Sequence, residues 1–351
     1  MERADVVVLG LGPAGASAAA EAARRGCRVV ALDRKREPGL PVQCAEFVPG
    51  MIGVEIERLA HAVRQPIEAM HTYVEGDPPD VQARFPGFML DRARFDAMLV
   101  AEAARRGAHC MFGRRVRRIT NAGRVEVSDG SAWAAGVIIG ADGPRSVAGG
   151  AIGQENKALV ETRQITVRLL VSHPATDIYL SSGTPGGYGW LFPKAEVANL
   201  GAGVSPPFRS RLAGIVARLH RNLHRQGKVG DEVLAMTGGA IPVGGMLQPW
   251  GQLGAALVLL AGDAAGLANP VTGAGIAAAV ASGRLAGELA AAAVGGASAV
   301  GERYGDELAG TYGAALDRAL RRRRELMTDV RGVSKAALRR SWIAYPEYWA
   351  A

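Results

Sequence analysis

The sequence predicts an α/β chain: a Rossmann-type dinucleotide-binding domain, an inserted and mainly antiparallel β-sheet domain, and C-terminal helices. Three observations predict it. The apolar run Val6–Leu9 enters Gly10-Leu11-Gly12-Pro13-Ala14-Gly15 and an alanine-rich segment at once. Residues 155–245 then change to alternating patterns. Finally, an apolar strand followed by a glycine-rich turn returns at 257–276.

Val6–Leu9 reads as a buried parallel strand because it is apolar at every position. In the Gly-x-Gly-x-x-Gly that follows, Gly10 permits the tight turn and Gly12 lets the backbone approach a pyrophosphate. Gly15 lets the helix Ala16 to Arg25 pack closely on the strand. The helix N-terminus offers free N–H groups to phosphate. A second strand, Val29 to Leu32, ends in Asp33, placed to accept hydrogen bonds from an adenosine ribose. This spacing of strand, turn, helix and acid is far more specific than the glycines alone. A proline-rich loop, Arg34 to Pro49, carries Cys44. Short strands are expected at 66–88, with a turn at Gly76-Asp77-Pro78-Pro79. Leu90 to Asp96 opens a helix to about Arg106, with Phe95, Leu99 and Ala103 on one face and Gly107 ending it. Strands are expected at Cys110–Phe112, Val116–Ile119, Val125–Val127 and Val137–Gly140, the last running into Ala141-Asp142-Gly143-Pro144-Arg145-Ser146.

The middle of the chain alternates at Ile165–Val171 and Asp177–Ser181, as an antiparallel sheet with one open face does. Gly186 to Pro193, a strand Ala198–Val204, a helix from Phe208 to about Arg225 and Gly239–Pro242 follow. Leu257–Leu260 leads into Gly262-Asp263-Ala264-Ala265-Gly266, and Gly273-Ala274-Gly275-Ile276 opens an alanine-rich helix. The tail from Tyr304 is helical, with Arg321 to Arg324 expected on a solvated face. The expected division is a discontinuous cofactor domain (1–60, 88–153 and 246–299), a substrate domain (61–87 and 154–245) and a C-terminal helical segment (300–351).

The 351 residues are 48% hydrophobic, which fits an ordinary globular chain. Net charge is +8, but the arginines are scattered and no nucleic-acid motif accompanies them. Cys27, Cys44 and Cys110 lack metal-ligand spacing, and their odd number argues for a reducing compartment. The first strand begins within a few residues of Met1, so a signal peptide is not expected. Ile276–Val294 contains Arg284 and Glu288 and reads as a buried helix rather than a membrane span. His220 and His224 share a helix face with no third ligand and read as surface histidines.

Three glycine-bearing strand ends imply one extended ligand. Asp263 suits ribityl hydroxyls, or alternatively a helix cap. The helix starting near Gly273 has a positive end suited to a flavin's pyrimidine ring. GxGPAG, GADGPRS (140–146) and GDAAGLANPVTGAGI (262–276) together resemble the FAD-binding signatures of the p-hydroxybenzoate-hydroxylase-like flavoproteins. Within that group, Tyr188-x-Trp190-x-Phe192-Pro193 resembles the YxWxFP motif of the geranylgeranyl reductase family. Pro41-Val42-Gln43-Cys44-Ala45-Glu46 resembles its proline–cysteine loop. The resemblance covers nearly the whole chain and implies a glutathione-reductase-like topology with bound FAD. It also implies FAD contacts from Arg92 and from the main chain at Val116, and a place for Cys44 beside the isoalloxazine. Arg34, Asp142, Gly143, Pro270 and Ile276 complete the expected cofactor contacts.

Tyr188, Trp190 and Phe192 would shape an apolar substrate cavity, although their alternation also suits core packing. Glu46 suits either a site role or a solvated acid. The chain departs from the family at Ala45, where glycine is usual, and at 148–150, where an arginine is usual. It is also shorter than many isoprenoid reductases.

The favoured activity is reduction of C=C bonds in an isoprenoid or other apolar substrate by hydride from flavin N5. Cys44, Tyr188, Trp190 and Phe192 would form the reaction site. A flavin monooxygenase acting on an aromatic or on a partner protein's side chain is the alternative. A non-enzymatic flavoprotein assembly partner is the third reading. NAD(P)H or a ferredoxin-like donor would supply electrons, since there is no second GxGxxG. The expected location is cytoplasmic, with peripheral contact at the inner membrane face.

Overall fold

A computed structural model describes residues 2–50, 59–327 and 333–350. Its centre is a six-stranded sheet in the order Trp250–Leu253, Ala256–Leu260, Val137–Gly140, Val6–Leu9, Val29–Leu32, His109–Met111. All neighbours are parallel except the antiparallel edge strand Trp250–Leu253. The four strands between the edges are buried at every residue, as expected of strands covered on both faces.

Among the described residues, eight α-helices surround this sheet and the inserted one: α1 (Pro13–Arg24), α2 (Arg92–Arg105), α3 (Val147–Ala151), α4 (Leu212–Arg225), α5 (Ile276–Val294), α6 (Val300–Met327), α7 (Lys335–Arg340) and α8 (Pro346–Trp349). α1 and α5 pack closely. A Cβ on Gly283 would fall 2.1 Å from the Ala14 carbonyl oxygen, and one on Gly287 would fall 2.3 Å from that of Ala18. By length and composition α5 could cross a membrane, but half of it is buried against the protein. Asp91 caps α2 by accepting from the Arg94 N–H at 3.0 Å.

The inserted domain is a mainly antiparallel sheet in the order Val229–Thr237, Leu159–Leu169, Val197–Val204, Gly189–Lys194, Ala175–Leu180, Ala69–Val74, Asp80–Gln82. Ala240–Pro242 pairs with the start of Leu159–Leu169, and Ala175–Leu180 runs parallel to Ala69–Val74. The edge strand Val229–Thr237 has no counterpart among the elements expected from sequence. It is exposed along most of its length and shows no alternation. Two small sheets complete the fold. One pairs Phe47–Pro49, Gly87–Leu90 and Val63–Ile67. The other joins Glu2–Arg3 to three strands between Val116 and Ala134.

The expectation of a solvated face at Arg321 to Arg324 is corrected for Arg322 and Arg323, whereas Arg321 and Arg324 are exposed as expected. Arg322 donates to the main-chain carbonyls of Tyr348 and Ala350 and pairs with Glu325. Arg323 donates to the Pro270 carbonyl, and burial lowers its guanidinium to about 10. α6 therefore faces the C-terminal segment and the 267–272 loop. His220 and His224 meet the carbonyls of Gly230 and Val229 and tie α4 to the edge strand.

Candidate active site

The C-terminal ends of the central strands open into a cleft of about 360 Å³ that continues beneath the inserted sheet. Such a position, outside the carboxyl ends of a parallel sheet, is where this topology holds ligands. Two helices point their N-termini into it, α1 through Gly12, Pro13 and Ala14, and α5 through Gly275 and Ile276. Both are capped by glycine, with no side-chain cap and no acid in the first turn. Their N–H groups and positive ends thus remain available for negative charge. A Cβ on Gly12 or Gly143 would meet nothing within 4 Å, so both leave room on the cleft side. Gly10 and Gly15 work from behind. Gly10 has φ +88°, and a Cβ on Gly15 would lie 1.8 Å from the Gly10 carbonyl oxygen.

Asp263 lines the cleft beside Gly275. Its main-chain carbonyl accepts from Asn156 at 2.9 Å, while its carboxylate has no hydrogen-bond partner among the described residues. Burial pushes that carboxyl up to about 6, partly opposed by the Arg92 guanidinium. Arg92 is held by Asp96 at 3.0 Å and also reaches the Cys44 sulfur. Burial by itself would lower this guanidinium, but Asp96 and Cys44 raise it on balance. Two uncapped helix ends, room at Gly12 and Gly143 and an unpartnered buried carboxyl fit a long anionic dinucleotide with hydroxyl donors.

Cys44 sits where the cofactor end meets the apolar end. Its sulfur accepts from the Glu46 N–H at 3.2 Å, and its carbonyl accepts from Gln164 Nε2 at 3.1 Å. Gln164 also accepts from the Trp190 indole at 3.1 Å, so one side chain fixes both loop and cavity wall. Glu46 is a buried hub in the left-handed region, φ 70°. Its carboxylate accepts from the Arg92 N–H at 3.0 Å, from Lys194 at 2.8 Å and from Asn199 at 2.8 Å. That binds the cysteine loop to α2 and to two strands of the inserted sheet.

The apolar end contains Tyr188, Trp190 and Phe192, joined by Phe47, Phe85 and Trp342. Tyr188 donates to the Thr272 carbonyl at 2.6 Å, and its ring meets Trp342 edge-on at 4.8 Å. Burial, then the nearby Cys44, raises its phenol above the usual range.

Of the other expected contacts, all but Gly273 lie outside the cleft wall. The Asp33 carboxylate accepts the Leu11 and Lys35 N–H groups, both at 2.7 Å, and braces the first turn. Asp142 accepts from the Val147 N–H at 2.6 Å and from Ser146, so it supports the start of α3. Gly262 donates to Ser282 at 3.0 Å, and the Pro270 carbonyl receives Arg323. Arg34 is exposed, and Val116 is paired with Val127. Gly273 lies on the cleft wall with φ +71°.

A family model described as FAD binding domain matches residues 3–196, and one described as geranylgeranyl reductase catalytic domain matches residues 159–241. The digeranylgeranylglycerophospholipid reductase of Methanothrix thermoacetophila is 33% identical over 313 residues, covering 82% of this chain and 77% of the relative. This chain belongs to the geranylgeranyl reductase family of FAD-dependent oxidoreductases. The Thermoplasma volcanium relative of the same name is likewise 33% identical, covering 82% of this chain and 78% of its own length. A geranylgeranyl bacteriochlorophyll reductase-like structure from Thermoplasma acidophilum has TM-score 0.85 and 26% identity. It covers 96% of this chain and 90% of that one. These likenesses favour a reductase of this family over a monooxygenase. Sequence reasoning missed Gln164, Trp342 and the hub role of Glu46. Only the polar character of Glu46 amid apolar neighbours hints at its role.

Proposed function

We propose that the chain saturates C=C bonds in the isoprenoid chains of a lipid of the digeranylgeranylglycerophospholipid type. The observation that carries this reading is the aromatic cavity continuous with the two helix N-termini, with Cys44 at the junction. Reduced FAD, when bound, supplies the hydride. The α1 N-terminus and Gly12 would hold the pyrophosphate, Asp263 the ribityl hydroxyls, and the α5 N-terminus the ring end where negative charge gathers on reduction. Tyr188, Trp190 and Phe192 orient an apolar chain and exclude water. We assign Cys44, at the junction of the two regions, the role of proton donor to the second alkene carbon. Arg92, Glu46 and Gln164 keep that sulfur in place.

The division into a substrate domain at 61–87 and 154–245 is a proposal. The proposed edges at 60/61 and 87/88 pass beside or through the small sheet formed by Phe47–Pro49, Val63–Ile67 and Gly87–Leu90. NAD(P)H or a ferredoxin-like protein is the proposed electron source, and the proposed site of action is the cytoplasmic membrane face. The experiment is anaerobic incubation of chemically reduced holoenzyme with digeranylgeranylglycerophospholipid. Mass spectrometry should show one added hydrogen molecule per saturated bond. An unchanged lipid alongside stable reduced flavin would refute the assignment.

A further inference from the structure

We propose that the chain has a second, separate ligand site: a divalent transition-metal centre of zinc type formed by His71, His173 and Asp177. It lies on the opposite face of the inserted sheet from the cleft. Side chains alternate along a strand. Met70, Thr176 and Ile178 face the cleft, so their neighbours face away from it. His71 and Asp177 are register partners in the parallel pair Ala69–Val74 and Ala175–Leu180, and His173 stands four residues before Asp177.

The donor atoms converge. Asp177 Oδ1 lies 2.7 Å from His173 Nε2 and 3.3 Å from His71 Nδ1, and all three ligand atoms fall within 4.8 Å of one another. Among the described residues this is the one grouping of its kind. Two imidazoles and a carboxylate suit zinc and its neighbours rather than calcium or magnesium, which prefer all-oxygen sets. Three protein ligands leave a coordination position for water.

The surroundings fit a built site. Asp177 is fully buried, while the two histidines keep some exposure. Its second oxygen, Oδ2, accepts from Tyr179 at 3.1 Å and from Lys228 at 3.4 Å, which fixes the carboxylate plane as outer partners of metal ligands do. The positive charge of Lys228 therefore sits on the far oxygen, where its ammonium also meets the Tyr73 hydroxyl at 3.3 Å. A surface cavity of about 550 Å³ reaches His173 and is lined by Glu68 and Glu196 together with Arg168. That cavity is the entry path. Bound metal would clamp the 172–174 loop to two strands whose other face walls the cleft.

The test uses untagged holoenzyme, stripped with chelator and titrated with Zn²⁺ by calorimetry and with Co²⁺ by absorption. One equivalent should bind, and Co²⁺ should give visible bands at longer wavelength than the flavin. Zn²⁺ should raise the melting temperature. His173→Ala and His71→Ala should each weaken binding by at least roughly tenfold, with flavin content and reductase activity retained. His173 is in a loop, so its variant keeps the test informative if the strand variant fails to fold. Absence of stoichiometric binding would overturn the proposal, as would His173→Ala binding Zn²⁺ as tightly as the unmodified chain. In either case Asp177 would be a buried ion cluster shared by the histidines and Lys228.

Discussion

In the role proposed for Asp263, cofactor binding should depend on pH. Burial pushes its carboxyl up to about 6, and a donating hydroxyl would favour the ionised form. FAD affinity should therefore rise from about pH 5 to about pH 7, and Asp263→Asn should flatten that profile, read by flavin fluorescence. The sign for stability is the reverse. Because the folded pKa exceeds the unfolded one, the folded chain holds a proton that the unfolded chain releases. The FAD-free chain should lose stability as pH rises between about 4 and about 6, which urea melts would show. At Cys44, serine should leave FAD bound and slow lipid reduction by roughly 100-fold, measured in single turnovers. Glu46→Gln strands the Lys194 ammonium and should cost about 3 kcal/mol, read from denaturation midpoints. The cleft positions of Cys44 and Asp263 were legible because each belongs to a short local motif. Glu46 was not, since its partners Lys194 and Asn199 lie 148 and 153 residues away along the chain. Arg323 misled for the same reason: four consecutive arginines read as solvated until the Pro270 carbonyl is placed beside one of them.

The α1–α5 contact sets the distance between the two helix ends that meet in the cleft. Gly283→Ala would press a methyl against the Ala14 carbonyl, where only 2.1 Å separates them. The helices would have to part, costing about 1–3 kcal/mol and weakening FAD retention, both measurable by melts followed through flavin release. These elements were readable because four-residue apolar runs, a glycine turn and an alanine-rich helix have one common solution. The strand Val229–Thr237 was not readable. As an edge strand exposed along most of its length, it has no buried face to impose alternation. Trp342 and Ile343 were likewise hidden, because their place on the cleft wall comes from the docking of α7 onto the inserted sheet. Lys335–Asp77 and Tyr345–Asp80 bonds make that docking.

Across the molecule, the end of the cleft proposed for the cofactor and the end proposed for the substrate draw on different parts of the chain, with Cys44 on the wall they share. The proposed cofactor end draws on segments near 12, 92, 143, 263 and 275, whereas the apolar end draws on the inserted sheet, Phe47, Phe85 and the C-terminal segment. Gly12→Glu separates folding from binding. A Cβ there meets nothing within 4 Å, so the chain should fold while charge and bulk at the helix end abolish FAD uptake. Full flavin occupancy in that variant would contradict the cofactor placement. The most direct measurement of the central claim is stopped-flow reoxidation of the reduced holoenzyme, once with digeranylgeranylglycerophospholipid in anaerobic buffer and once with oxygen alone. The expected result is rapid flavin reoxidation by the lipid and slow reoxidation by oxygen without a hydroperoxide absorbance. A transient hydroperoxide whose decay accompanies a hydroxylated product would contradict it.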